Sequence, residues 1–190
     1  MNRLIISSMI LLCLACNTKK QEPLMEIASA EVHLPLNPYD SVSFKEPYNP
    51  HSPYHLDLKI EDTENDLKQL VLFITLRDGA HFVSPNAERS FKGKFSMTLN
   101  ENNKLKPRED LIEIPLSVEE IDTHPFVNGT INWVREDTTY KLPLNILTES
   151  DFEATGLIRF TIEPRCSLEE IPFVVRQQSG ILSVKILGGC

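Results

Sequence analysis

From Tyr54 onward the chain alternates between apolar and polar positions. Tyr54, Leu56, Leu58 and Ile60 are separated by His55, Asp57 and Lys59, the period of two that a strand with one buried face requires, because successive side chains point to opposite sides. Leu70 to Leu76 is nearly continuous in apolar residues, and a run of seven reads as a central strand rather than a helix. Asp78-Gly79 then supplies turn chemistry. Alternation returns in Phe91, Gly93, Phe95, Met97 and Leu99; in Ile112, Ile114, Leu116 and Val118; in Tyr140, Leu142, Leu144 and Ile146; in Ile158, Phe160 and Ile162; and in Ile171, Phe173 and Val175. Gly129 to Val134 and Ile181 to Leu187 complete a set of eight to nine strands. No window of twelve residues carries a helical stripe, and Asn102-Asn103, Asn128-Gly129 and Ser179-Gly180 punctuate the runs. Only Ser117-Val118-Glu119-Glu120 has the spacing of a helix cap. Short strands at regular spacing predict an all-β fold, a single immunoglobulin-like β-sandwich.

The start of the chain departs from this pattern. Met1-Asn2-Arg3 carries one positive charge, and an apolar run extends from Leu4 to Ala15, interrupted by Ser7 and Ser8. A membrane-spanning helix needs about 20 apolar residues, whereas a charged start and a short apolar stretch ending in a small residue describe an export signal. The sequence Leu12-Cys13-Leu14-Ala15-Cys16, followed at once by polar Asn17 to Glu22, resembles the lipobox of bacterial lipoproteins, in which a small residue precedes an invariant cysteine that receives diacylglycerol. Cys13 stands where that family usually has leucine. The resemblance implies a signal peptide over 1–15 and lipidation of Cys16. Each buried acyl methylene contributes about 0.8 kcal/mol, so several chains on one cysteine anchor durably. Residues 16–30 are polar or small and read as a flexible tether. The domain then occupies 31–190, its lead-in extended by Pro35, Pro38, Pro47, Pro50 and Pro53, with at most an edge strand near Glu31 to Leu36.

Charge narrows the possible partners. The chain has 27 acidic and 19 basic residues, and loss of 1–15 removes Arg3 and leaves the mature protein at −9. Nucleic-acid binding is excluded on this ground, since it depends on neutralising phosphates with Lys and Arg. The 175 mature residues suit one domain with a sizeable core.

Once lipidation consumes Cys16, two thiols remain, Cys166 and Cys190. Outside the cytoplasm such thiols tend to pair, and a bridge closing a loop of about 25 residues would stabilise the fold by about 3 to 4 kcal/mol. Cys190 follows Gly188-Gly189 at the last position and is equally free to stay unpaired. A catalytic thiol needs electropositive surroundings, for which Arg165 is the only local sign. The runs Leu72-Phe73-Ile74-Thr75-Leu76-Arg77-Asp78-Gly79-Ala80-His81-Phe82-Val83-Ser84-Pro85 and Gly156-Leu157-Ile158-Arg159-Phe160-Thr161-Ile162-Glu163-Pro164-Arg165-Cys166 resemble the N-terminal β-sandwich domain of membrane thiol:disulfide interchange proteins. In that family two cysteines a few residues apart pass electrons, the first following a strand as Cys166 does. Where the second cysteine falls, this chain has Ile171, Pro172 and Phe173, and the family's electron-delivering membrane domain has no counterpart in the sequence. The resemblance thus implies the fold and speaks against the chemistry.

Other candidate chemistry changes the picture little. His51, His55 and Asp57 lack the tight ligand pairs of a zinc site, and His81 and His124 sit at turn positions. Glu61-Asp62-Thr63-Glu64 and Glu119-Glu120-Ile121-Asp122 have oxygens suited to calcium but read as solvated acidic loops. Neither a Gly-x-Ser-x-Gly elbow, a His-Glu-x-x-His pair nor a phosphate-cradling glycine loop is present. Trp133 reads as core. Asp40-Ser41-Val42 and Asp137-Thr138-Thr139 resemble the short O-glycosylation acceptor of lipoproteins from the Bacteroidota.

These readings predict a protein of the cell envelope, at the outer membrane, held through an N-terminal lipid. It acts as a non-catalytic binding or adaptor module for an envelope protein partner, with no cofactor, metal or catalytic residue. The rival expectation is a thiol-disulfide redox protein using Cys166 and Cys190.

Overall fold

The computed structural model describes residues 51–63, 67–125 and 127–188, together with the backbone of Phe44–Lys45. The export segment 1–15, Cys16, the tether 16–30, the edge strand expected near 31–36 and Cys190 lie outside these residues.

Strand periodicity is realised as two facing sheets. β1 (Phe44–Lys45), β2 (Tyr54–Asp62), β3 (Lys68–Leu76) and β10 (Thr138–Ile146) form the body of one, in that order, with β6 (Leu105–Pro107) and β7 (Ile112–Ile114) side by side along the far edge of β10. The other runs β13 (Ile181–Ile186), β12 (Ser167–Gln178), β11 (Phe152–Ile162), β5 (Ser96–Leu99). A small third sheet orders β4 (Phe82–Val83), β9 (Gly129–Val134) and β8 (Glu119–Asp122). All pairings between these strands are antiparallel. The expected β-sandwich is therefore present. It has thirteen strands among the described residues rather than eight to nine, because pieces of two to four residues are too short to show a period. The capping pattern at Ser117 opens strand β8 instead of a helix, since Glu119 to Asp122 pair with Asn132 to Gly129.

Alternation selects the core. Leu56, Leu58 and Ile60 of β2, Leu70, Leu72 and Ile74 of β3, and Tyr140, Leu142 and Leu144 of β10 meet Ile158 and Phe160 of β11, Phe173 and Val175 of β12, and Val184 and Ile186 of β13 in one buried cluster. Each large apolar side chain buried this way contributes about 1.5 to 3 kcal/mol. Phe95 stacks on Tyr140 with ring centres 4.0 Å apart, and Phe82 meets Phe160 at 5.1 Å, so rings from a loop and three strands fill the sandwich's middle. Beside it, Val83, Ala87, Val127 and Ile131 form a smaller core capped by Phe91 and Trp133.

The segment after Leu111 reverses expectation. As the apolar row of an alternating strand, Ile112, Ile114, Leu116 and Val118 are expected to face inward; in the structure the strand ends at Ile114 and all four are exposed, while Glu113 is only 6% exposed. Register explains the inversion. Glu113 stands opposite Tyr140, an inward residue, so Ile112 and Ile114 share the outer face with their partners Lys141 and Thr139.

Candidate functional site

Cys166 lies in the tight turn joining β11 to β12, one residue before the Ile162↔Ser167 pair closes. Its φ of 53° is left-handed, uncommon for a residue with a Cβ. The sulfur is exposed and carries a free thiol, which donates a hydrogen bond to Glu163 Oε2 at 3.0 Å. That hydrogen bond, and next the negative charge of Glu163, push the thiol's pKa above its ordinary value. Because thiolate is the nucleophile, this is the reverse of an activated cysteine. Arg165, the local positive charge in the sequence, has no contact with the sulfur that offsets this. The proposed bridge partner, Cys190, lies outside the described residues.

The turn is continuous with an aromatic and charged cluster. Glu163 and His81 exchange backbone hydrogen bonds at 2.8 and 3.1 Å, and His81 Nδ1 donates to Gly79 O at 3.0 Å. The imidazole stands edge-on to Trp133, ring centres 4.8 Å apart. Trp133 Nε1 donates to Asp122 Oδ2 at 3.0 Å, while Arg135 lies over the indole and pairs with Glu120 at 2.9 Å. The Asp122 carboxyl is held below the usual range, chiefly by the backbone N–H of His124 and then by the indole. Trp133 is thus half-buried packing with its polar edge tied to β8.

The second constellation surrounds Glu113. Ser84 Oγ and Tyr140 Oη donate to its Oε2 at 2.8 and 2.9 Å, and the Ser117 backbone N–H donates to Oε1 at 2.8 Å. A buried carboxylate is tolerated only with such partners. Burial first, and then the charge of Glu113, push the Tyr140 phenol far above its ordinary pKa, so it remains a donor. Outside this network run the exposed side chains of Ile112, Ile114, Leu116, Val118 and Ile121, with Phe73 in the cross-strand row of Thr139 and Ile114. Sequence reading missed Glu113. Its one visible signal was a carboxylate flanked by two isoleucines, next to a proline, in a strand short enough to be an edge.

Among the described residues no three His, Cys, Asp or Glu side chains are grouped to hold a metal ion. Glu61 and Asp62 pair instead with Lys59 and Lys68. Thr138 of the glycosylation-like triplet is only 2% exposed, with its hydroxyl donating to Glu136 O at 2.9 Å, a position closed to modification in the folded protein. Open grooves of about 340 to 550 Å³ mark the surface of the described residues, three of them at the ends and face of the two main sheets. Cys166 lines none of them. One lies on the outer face of the first sheet, over Asp57, Val71, Phe73 and Lys141.

Fold and surface together define an all-β sandwich with an aliphatic edge turned to solvent. The chain matches no protein-family model and no curated protein sequence. Among solved structures it is similar to the N-terminal domain of DsbD from Neisseria meningitidis in the reduced form, over 73% of this chain and 94% of that one, with a TM-score of 0.45 and 10% sequence identity. The assignment of the sandwich rests on the sheets and core of this chain.

Proposed function

We propose that the protein is a lipid-tethered, non-catalytic binding module of the cell envelope, at the outer membrane, which presents the 112–121 edge to an envelope protein. One observation carries the reading: an edge strand that buries its carboxylate and exposes its aliphatics. Ordinary half-buried strands do the opposite, and an aliphatic row facing water costs solvation unless a partner covers it. Three donors to Glu113 hold the strand in this orientation, so the outward row is built in by the fold rather than left over from it. Lipidation at Cys16 is part of the same proposal and rests on the lipobox resemblance. Against thiol exchange through Cys166 stands Glu163, which favours the protonated sulfur.

The test is site-specific crosslinking in intact cells that make the protein. A photoactivatable residue at position 116 or 118 is expected to yield discrete adducts with a protein, whereas the same residue at Thr155, exposed on the opposite sheet, yields none. Equal labelling from all three positions, or no adduct from any, would overturn the binding reading.

A further inference from the structure

The partner's chemistry follows from the edge next to the aliphatic row. β8 pairs with β9 alone, so among the described residues its other side offers backbone N–H and C=O groups with no strand beside them. Natural proteins protect such edges with charged side chains, most often lysine, or with proline, bulges or cover. This one carries Glu119, Glu120, Ile121 and Asp122, preceded by Leu116 and Val118, with exposures of 66% at Leu116, 81% at Val118 and 79% at Ile121. Glu120 is paired with Arg135 and Asp122 with the Trp133 indole. Glu119 has no ion-pair partner among the described residues, and it lies on the same face of β8 as Ile121 because side chains two apart share a face.

Building on the binding-module reading, we infer that β8 is the docking edge for an extended polypeptide segment that carries an aliphatic residue and a basic residue two positions apart, added as a further antiparallel strand. Main-chain hydrogen bonds to the open edge supply affinity, and side chains at alternate positions supply specificity. An aliphatic residue set opposite Ile121 shares its face, and a Lys or Arg two positions along meets Glu119. The acidic charge excludes the other occupants. Two copies joined through β8 would set Glu119, Glu120 and Asp122 against their own kind, and like charges directly opposite in a sheet are destabilising. An anionic lipid surface is repelled by the same carboxylates. The edge is thus protected against itself and open to a basic strand.

The experiment uses the full chain in detergent with a fluorescent eight-residue peptide that repeats valine-threonine-lysine-threonine, which sets valine and lysine on one face of the added strand. Binding is expected to be at least about tenfold tighter than that of the same repeat with glutamate in place of lysine, and about tenfold tighter than that of the parent peptide N-methylated at alternate amides, which removes its strand donors. Amide exchange of β8 is expected to slow when the parent peptide is bound. Glu119→Lys should weaken binding by about tenfold or more with an unchanged thermal melt, and Ile121→Ser should weaken it independently of charge. Equal affinity for the N-methylated peptide, or unaltered β8 exchange, would overturn strand addition. So would dimers in sedimentation that Ile121→Ser dissolves, or phosphatidylglycerol vesicles that displace the peptide. If crosslinks at 116 and 118 persist while the peptide fails, the strand-addition mode falls and the binding module stands; if both fail, both fall.

Discussion

A carboxylate turned inward at Glu113 survives because three donors converge on it, two of them hydroxyls from Ser84 and Tyr140 that lie 29 and 27 residues away in the chain. Tyr140→Phe removes one donor to a charged acceptor, and the expected loss is about 1.5 to 3 kcal/mol in a urea melt at neutral pH. The phenol's raised pKa adds a pH dependence. A proton held more tightly in the folded state contributes stability in full below the unfolded value, near pH 10, and loses it as pH climbs above. Melts at pH 8 and above pH 10 should therefore show a decline in stability that Tyr140→Phe flattens; a decline of unchanged steepness would mean that the phenol does not drive it. At Cys166 the same logic is read through reactivity. Iodoacetamide alkylation is expected to rise with pH later than for an ordinary thiol, and Glu163→Gln to move that rise to lower pH, because the hydrogen-bonding carboxylate is the cause of the shift. Neither effect was legible in the sequence. Glu163 and Cys166 are three residues apart, but only the left-handed turn at Cys166 brings the sulfur back onto the carboxylate.

Where the element is long and one-sided, sequence and structure agree. Tyr54 to Ile60 and Leu70 to Leu76 lie within β2 and β3, and Ser179-Gly180, both at positive φ, form the two-residue turn between β12 and β13, as hairpins of this length require. β7 shows the limit. A period of two says which residues share a face, not which face is inside, and at Ile112 to Ile114 the decision belongs to donors from other strands. The strip of aliphatics at the candidate edge was therefore visible as a pattern and invisible as a surface. Close packing between strands is likewise a matter of neighbours. On β11, a Cβ added to Gly156 would lie 2.2 Å from the Phe173 ring and 2.5 Å from the Thr98 carbonyl oxygen. The ring could move, but the backbone oxygen belongs to the adjoining strand. Gly156→Ala is accordingly expected to cost about 1 to 3 kcal/mol, whereas Gly180→Ala meets no atom within 4 Å and acts only through its φ of 81°. Thermal melts of the two variants, with β11 amide exchange, separate crowding from backbone strain.

At the level of the whole protein, the proposed anchor and the sandwich make separable contributions. Cys16→Ala is expected to abolish acylation and leave the protein uncleaved or soluble, because the Leu4 to Ala15 run is too short to hold a membrane. Mass spectrometry of the mature N-terminus checks this, and an unmodified peptide beginning elsewhere than residue 16 would count against lipidation. The domain's own melt should be indifferent to the substitution. Among the described residues no helix is long and apolar enough to cross a membrane. The order of strands in the first sheet has a kinetic consequence. β3 pairs with β10, so Leu70 waits for Leu142, about 70 positions further along the chain, and Met97 waits for Ile158 in the other sheet. Closing such long loops costs entropy before any contact offsets it, and proteins built on distant pairings fold in milliseconds to seconds rather than microseconds. A chain that emerges N-terminus first cannot complete either sheet until most of its length has appeared. If the chain is exported as proposed, that delay would keep the polypeptide threadable while a channel passes it, and the same strand order that closes the mature sandwich would postpone its closure until after passage.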